Sequence, residues 1–228
     1  MKYVPSALIG RLSRSAGSTT ASHNKFGAYL RNRVMPTNPQ SSFQTAVRGN
    51  FSDLSTAFRT LTDPQKEGWI TLGQSMERTD SLGQTYSMTG IQAFISVNNN
   101  LLTVGEAAVD DAPAYQLPDQ PASGVATIGA GLSSFSIAFT PPASGDFILV
   151  YATRPMSAGR MFAARSEYKL IAILDDASTS PEAAATAYIS RFGSFASKAG
   201  EKVFLRLIAI SAEGFASTPI QSSSIIGA

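Results

Sequence analysis

Three segments between residues 40 and 104 repeat apolar residues at the spacing of amphipathic helices. In the first, 41–61, the apolar positions recur at intervals of four, four, three, four and three residues, which places them on one helical stripe. These positions are Phe43, Val47, Phe51, Leu54, Phe58 and Leu61. Because short helices of this kind bury their stripes against one another, we expect a three-helix unit over 40–104.

The second and third helices are marked by their starts and by their apolar residues. A helix is predicted over 64–76, because Thr62 and Gln65 fit a capping box directly before it. A third helix is predicted over 89–103, where apolar residues again recur at helical spacing. The segment between them, 77–88, is polar and contains glycine, which predicts a loop.

Residues 1–39 show the pattern of a strand and a turn instead. Asn24 and Gly27 bracket a turn, and both residue types tolerate positive φ. After the turn, the residues alternate as in a strand with one charged face. One face would hold Ala28, Leu30, Asn32 and Val34, and the charged face would hold Tyr29, Arg31 and Arg33. Pro36 and Pro39 end this strand. We therefore predict a basic extended arm with a hairpin over 1–39.

The remainder of the chain changes to short apolar runs separated by turns. Residues 105–123 contain three prolines and no long apolar pattern, which predicts a linker. Residues 124–228 hold strand-like runs, and the run 147–153 is apolar on both faces, so we expect it to be central. Such spacing predicts an all-β immunoglobulin- or fibronectin III-like sandwich, and an α+β, multi-part chain overall. Residues 180–195 fit either a short helix or irregular structure.

Charge is distributed unevenly along the chain. The first 52 residues hold seven bases and no acid, whereas the rest holds 11 bases and 16 acids, so the net charges are +7 and −5. The seven bases are Lys2, Arg11, Arg14, Lys25, Arg31, Arg33 and Arg48. This asymmetry is typical of contact with a negative partner, so these residues are the partner-binding candidates. The partner is either an acidic protein surface, including that of a neighbouring copy, or nucleic acid, for which Tyr3, Phe26 and Tyr29 could stack on bases.

Side chains that commonly carry catalysis are scarce in this sequence. There is no cysteine, and the single histidine, His23, falls in the predicted turn of the basic arm with no acid nearby. The serines and the lysine of 194–198 lack the S-x-x-K spacing, and the acid pairs 110–111 and 175–176 lack calcium-loop spacing. Trp69 is expected in the core. We predict no catalytic residue, cofactor or metal, hence no enzyme, and no membrane partner, because no apolar run reaches about 20 residues.

Short motifs resemble the N-terminal part of an uncharacterised family found in bacterial genomes and phages. They are a small-residue stretch at 13–17 that stands where the family has S-x-x-G, N-K-x-G at 24–27, aromatic-x-R-x-R at 29–33, P-x-N-P at 36–39, Q-x-x-x-R at 44–48 and L-T-D-P-Q-K-E-G-W at 61–69. The segments 199–205 and 210–214 are similar to the final strands of that family and to fibronectin type III-like domains. The resemblance implies a phage or prophage setting, and it assigns no activity.

Together these features lead to the hypothesis of a non-enzymatic structural protein of a phage virion. It would be a minor capsid or decoration protein, or a tail or fibre component, anchored through its N-terminal region to copies of itself and to other virion proteins. We expect it in the phage particle, and in the bacterial cytoplasm during assembly. Two alternatives stay open: a nucleic-acid-binding protein that uses the basic arm, and a surface carbohydrate- or cell-binding module. The loop aromatics for the latter would be Phe162, Phe192, Phe195 and Phe215.

Overall fold

The computed structural model describes the chain apart from residues 1, 5–11, 25–26, 36, 39, 81, 130–133, 194–198 and 228. Its described part is α+β, with four α-helices and several antiparallel sheets. The chain divides into two compact units. The first comprises Met1–Ile95 and Asp110–Ala112, and the second comprises Ser96–Val109 and Pro113–Ala228. The four-part division at 39, 104 and 123 stays a prediction.

The first unit begins with a four-stranded antiparallel sheet in the order β1-β4-β3-β2. The strands are β1 (Lys2–Tyr3), β2 (Arg14–Ala16), β3 (Thr19–Asn24) and β4 (Gly27–Asn32). Strands β3 and β4 form the expected hairpin, with Asn24 paired to Gly27, whereas β1 and β2 had no clear pattern in the sequence. The predicted extended arm is therefore part of a sheet. Two residues of its turn, 25 and 26, lie outside the described residues.

The three predicted helices are confirmed, with ends that differ by a residue or two. They are α1 (Ser42–Thr60), α2 (Asp63–Ser75) and α3 (Gly90–Val104). The capping box before α2 is also present, because the Thr62 backbone N–H donates to Gln65 Oε1 at 3.0 Å. The prediction of a loop at 77–88 is wrong in part, since this segment contains a hairpin of β5 (Glu77–Thr79) and β6 (Thr85–Ser87).

Trp69 lies in the core of the first unit, as expected. It is completely buried, and its ring meets the edge of the Phe94 ring with centroids 5.1 Å apart. Phe94 in turn contacts Phe58 of α1 at 5.4 Å. The indole N–H of Trp69 donates to the Asp110 carbonyl at 2.7 Å, which satisfies the one polar group that its burial would otherwise leave unpaired. One aromatic cluster therefore connects all three helices.

The second unit contains two sheets and a fourth helix. Its elements are β7 (Gly124–Ile128), β8 (Phe135–Phe139), β9 (Phe147–Ala152), β10 (Lys169–Leu174), β11 (Glu182–Ala183), α4 (Ala185–Phe192), β12 (Lys202–Ile210) and β13 (Ile220–Ile225). One sheet has the order β11-β8-β7 and the other β10-β9-β12-β13. Strand β9 lies between two neighbours, which confirms the central position expected for it. Helix α4 occupies the segment that the sequence left open, so this part of the chain is not all-β.

Both sheets and α4 contribute side chains to one hydrophobic core. Tyr188 of α4 stacks on Phe135 of β8, with ring centroids 4.7 Å apart, and its hydroxyl donates to the Thr153 carbonyl at 2.6 Å. The two sheets also meet where β7 contacts β13, and there the Ala126 backbone N–H donates to Ser224 Oγ at 3.1 Å. The alternating burial of β7 and β8 follows from this shared interior, because successive strand residues point to opposite faces.

Candidate interaction surface of the N-terminal unit

The register of the N-terminal sheet divides its arginines between two faces. Residues directly opposite each other in an antiparallel pair project to the same side. Arg31 is paired with Thr20, and Thr20 with Ser15, so these three side chains share one face. Arg14 is paired with Ala21, whose partner Leu30 is the strand neighbour of Arg31 and lies on the opposite face. The bases therefore do not form one continuous stripe.

Lys2 is engaged within the unit. It shares a face with Arg31 through its pairing with Tyr29, but its ammonium forms an ion pair with Asp80 and lies 5.7 Å from the centroid of the Tyr86 ring. The hydrogen bond from Lys2 is the largest of the effects that lower the pKa of Asp80. A base held in this way connects the sheet to the β5–β6 hairpin. It is not available as a simple surface charge.

The other candidate bases are exposed or lie outside the described residues. Arg31 and Arg33 are exposed, and the Arg33 backbone N–H continues the hairpin by donating to the Ser18 carbonyl at 2.6 Å. Arg48 lies on α1 and donates to Asn38 Oδ1 at 2.8 Å. In the part of the chain that the structure describes, Arg14, Arg31, Arg33 and Arg48 form no ion pair. Arg11 and Lys25 lie outside that part.

The apolar stripe of α1 is buried over only half its length. Leu54 is buried in the unit, as the helical spacing leads one to expect. The N-terminal half of the stripe is not buried, since the side chains of Val47 and Phe51 are 60% and 57% exposed. Because these two residues are four apart, they lie on the same side of the helix. The α1 apolar surface, which we define as Val47 and Phe51, is a feature that sequence spacing suggested only as core.

Among the residues that the structure describes, the candidates for chemistry do not gather into a reactive site. His23 is an exposed residue of β3 rather than of the turn, which corrects its predicted place. Asp111 accepts from the Gln65 amide at 3.0 Å. Asp175 accepts from the Ser178 hydroxyl at 2.6 Å, within its own turn, and Asp176 accepts from the Ser144 hydroxyl at 2.9 Å, which joins two segments distant in the sequence. The Ser178 bond is the main reason that the pKa of Asp175 is lowered.

The three described loop aromatics of the predicted carbohydrate-binding surface do not form an exposed cluster. Phe192 and Phe215 are buried in the second unit, so they belong to its interior. Phe162 is 73% exposed, beside Met161 at 83%. Phe195 and the 194–198 segment lie outside the described residues.

Two further features of the described residues bear on the classes of function. No set of three or more histidine, aspartate or glutamate side chains is grouped closely enough there to bind a metal ion. No helix in that part combines the length and apolar character of a membrane span.

Comparisons with protein families, with curated proteins and with solved structures find no match to this chain.

Proposed function

We propose that this chain is a non-enzymatic structural protein of a phage particle, either a minor capsid or decoration protein or a tail or fibre component. In this proposal, the N-terminal unit docks on a neighbouring copy of the chain, and the C-terminal unit projects or packs against neighbouring molecules. The observation that carries the proposal is the α1 apolar surface. Val47 and Phe51 of this amphipathic helix are exposed to water, so a partner that covers them lowers the free energy of the system.

The distribution of charge favours a second copy as that partner. The first 52 residues carry a net +7 and the rest of the chain −5, so the basic region of one copy is complementary to the acidic remainder of the next. Arg48 is three positions before Phe51 on α1, so the two side chains are neighbours on the helix surface, and Arg48 forms no ion pair with described residues. An apolar centre with basic residues around it is a common arrangement of protein interfaces.

We infer in addition that the two sheets of the second unit form a fibronectin III-like sandwich. The strand order supports this inference. The first, second and fifth strands of the unit make one sheet, and the third, fourth, sixth and seventh make the other, over one shared core. Helix α4, between the fifth and sixth strands, would be an addition to that plan. Such sandwiches occur in many unrelated proteins, so the architecture by itself assigns no activity.

Self-association of the full chain tests the docking step. We expect light scattering after gel filtration to show concentration-dependent oligomers, because both apolar burial and charge attraction favour them. The Val47→Ser/Phe51→Ser variant should weaken association about tenfold or more, since two large apolar contacts are lost. A matched control is Met161→Ser/Phe162→Ser, which removes an even more exposed apolar pair from the second unit. A monomer at all concentrations, or equal effects of both variants, would contradict the docking step.

Purified particles test the virion assignment separately. We expect mass spectrometry of particles of the phage that encodes this chain to detect it at a stoichiometric copy number. Its absence from intact particles would overturn the assignment even if the isolated chain self-associates.

The nucleic-acid alternative gives a different result in a gel-shift assay. If the basic sheet binds phosphates, binding to DNA or RNA should fall steeply with salt and be lost in Arg31→Ala/Arg33→Ala. We expect no such binding at physiological salt, because the exposed arginines of the sheet are divided between its faces. Tight, salt-dependent binding would replace the docking proposal with this alternative.

A further inference from the structure

Arginine and tyrosine side chains are neighbours on the outer face of the β10-β9-β12-β13 sheet. Arg206 of β12 is directly opposite Tyr151 of β9, and the two project away from the core to which their strand neighbours Leu205, Leu207, Val150 and Ala152 belong. Burial raises the pKa of Tyr168, just before β10, and the positive charge of Arg206 offsets part of that effect. Burial also raises the pKa of Tyr151, and the positive charges of Arg206 and Arg165 offset part of that effect. The Arg206 cluster, defined as these four residues, is therefore basic and aromatic.

Two polar atoms of this cluster lack the partners that buried groups normally have. Arg206 Nε and Tyr168 Oη are both shielded from solvent, and neither has a hydrogen-bond partner among the described residues. Arg206 also forms no ion pair there, although it is half-buried at the centre of a sheet. A partly desolvated guanidinium and hydroxyl without partners are unfavourable, and a bound group that supplied acceptors would relieve this cost.

The neighbouring loop is held in place without using the cluster. Arg160 donates from Nη2 to both carboxylate oxygens of Glu167, at 2.9 and 2.7 Å, and the Ala164 backbone N–H donates to the same carboxylate at 2.6 Å. Glu167, whose charge acts on Tyr168, is thus already neutralised by its own arginine. The positive charges of Arg165 and Arg206 are left uncompensated beside the two tyrosines.

We propose that the Arg206 cluster binds an oxyanion, the carboxylate or phosphate group of a ligand. The guanidinium fork of Arg206 matches two oxygens of such a group, Arg165 adds a second charge, and the Tyr168 hydroxyl donates to it. The tyrosine rings suit the apolar face of a sugar or other organic ring that carries the anion. Binding requires a rotamer change of Arg206 and Tyr168, because the two unpaired atoms are closed to solvent. This site is independent of the docking role proposed for the first unit.

Titration of the full chain by NMR, observing the Arg206 side-chain N–H, tests the site with three probes. Inorganic phosphate and glucuronate represent the two sources of the anion, and glucose at equal ionic strength is the neutral control. We expect saturable shifts with one or both anions and none with glucose. The anion that binds more tightly identifies the source. Binding of glucose as tight as that of glucuronate would overturn the proposal, and so would the absence of any saturable shift.

Three variants separate binding from folding, with the Tyr151 amide as the reporter. Arg206→Gln should weaken anion binding about tenfold or more, because it removes hydrogen bonds to a charged group. Tyr168→Phe should weaken binding while leaving the melting temperature unchanged or higher, since it deletes a buried hydroxyl that has no partner. Arg78→Gln, which removes one exposed positive charge from β5 of the first unit, is the matched control. Equal effects of Arg78→Gln and Arg206→Gln, or undiminished binding by both cluster variants, would refute the site.

Discussion

Asn98 and Val109 are joined by a pair of hydrogen bonds that closes the turn after α3. The Val109 backbone N–H donates to Asn98 Oδ1 at 2.6 Å, and Asn98 Nδ2 donates to the Val109 carbonyl at 3.1 Å. Asn98 is completely buried, so water cannot replace the hydrogen bonds of its amide. The side-chain amide of Asn98 supplies the backbone partners that a neighbouring strand would otherwise provide, and it holds the segment after α3 against that helix.

Replacement of Asn98 should therefore destabilise the second unit. Asn98→Ala removes both bonds and leaves the Val109 backbone without partners, which we expect to cost about 2 kcal/mol in urea denaturation. Amide exchange at Val109 should accelerate in the same variant. Asn99→Ala is the control, because its side chain makes neither bond and alanine is a good helix former, so its effect should stay within about 0.5 kcal/mol. Equal stability of the two variants would show that the amide pair has no structural role.

Gly214 lies where a side chain is excluded for two reasons. Its φ is +88°, and an added Cβ would come within 2.7 Å of the Val97 carbonyl oxygen. Gly145 has a similar φ of +85° but only an ordinary contact, 3.6 Å from Ala212 Cβ. We expect Gly145→Ala to cost about 1 kcal/mol from the left-handed backbone alone, and Gly214→Ala clearly more, by thermal denaturation. Similar losses would mean that the Val97 contact relaxes at no cost.

Two helical glycines of the first unit should respond to alanine in opposite directions. An added Cβ at Gly73 of α2 would meet the Met88 carbonyl oxygen at 2.8 Å, so Gly73→Ala should destabilise the unit by about 1 kcal/mol or more. An added Cβ at Gly49 of α1 would meet nothing within 4 Å. Gly49→Ala should therefore stabilise α1 by about 0.5–1 kcal/mol through its helix propensity. Circular dichroism melting of both variants checks the sign of each effect.

Burial of Tyr188 makes the stability of the second unit depend on alkaline pH. Burial raises the pKa of Tyr188 well above its usual value of about 10, and the charge of Arg154 offsets only part of that effect. Because the unfolded chain loses the phenolic proton first, the contribution of Tyr188 is fully present below about pH 10 and declines above it. The decline is at most about 1.4 kcal/mol per pH unit.

Urea midpoints measured from neutral to alkaline pH test this dependence. Tyr188→Phe cannot ionise at this position, so its midpoint should fall less steeply above about pH 10, although it is lower at neutral pH because the bond to the Thr153 carbonyl is lost. Parallel curves for the two proteins would show that Tyr188 ionises as easily in the folded state as in the unfolded one.

Local patterns in the sequence determined the elements whose stability depends on nearby residues. The spans of α1, α2 and α3 followed from apolar spacing and from the capping box at Thr62, and the β3–β4 hairpin followed from its turn residues. Strand β9 could be placed at the centre of its sheet because both of its faces are apolar. The burial of Trp69 followed from its position among helical apolar residues. Each of these signals is contained within about 20 residues of sequence.

Tertiary structure decided the features that depend on partners distant in the chain. Only packing determines that the α1 stripe is buried at Leu54 and exposed at Phe51, because the repeat itself is the same along the helix. Strand β11 and α4 likewise depend on β8 and the shared core rather than on a strong local signal. The pairing of Arg206 with Tyr151, 55 positions apart in the sequence, is set by strand register, which no local pattern encodes.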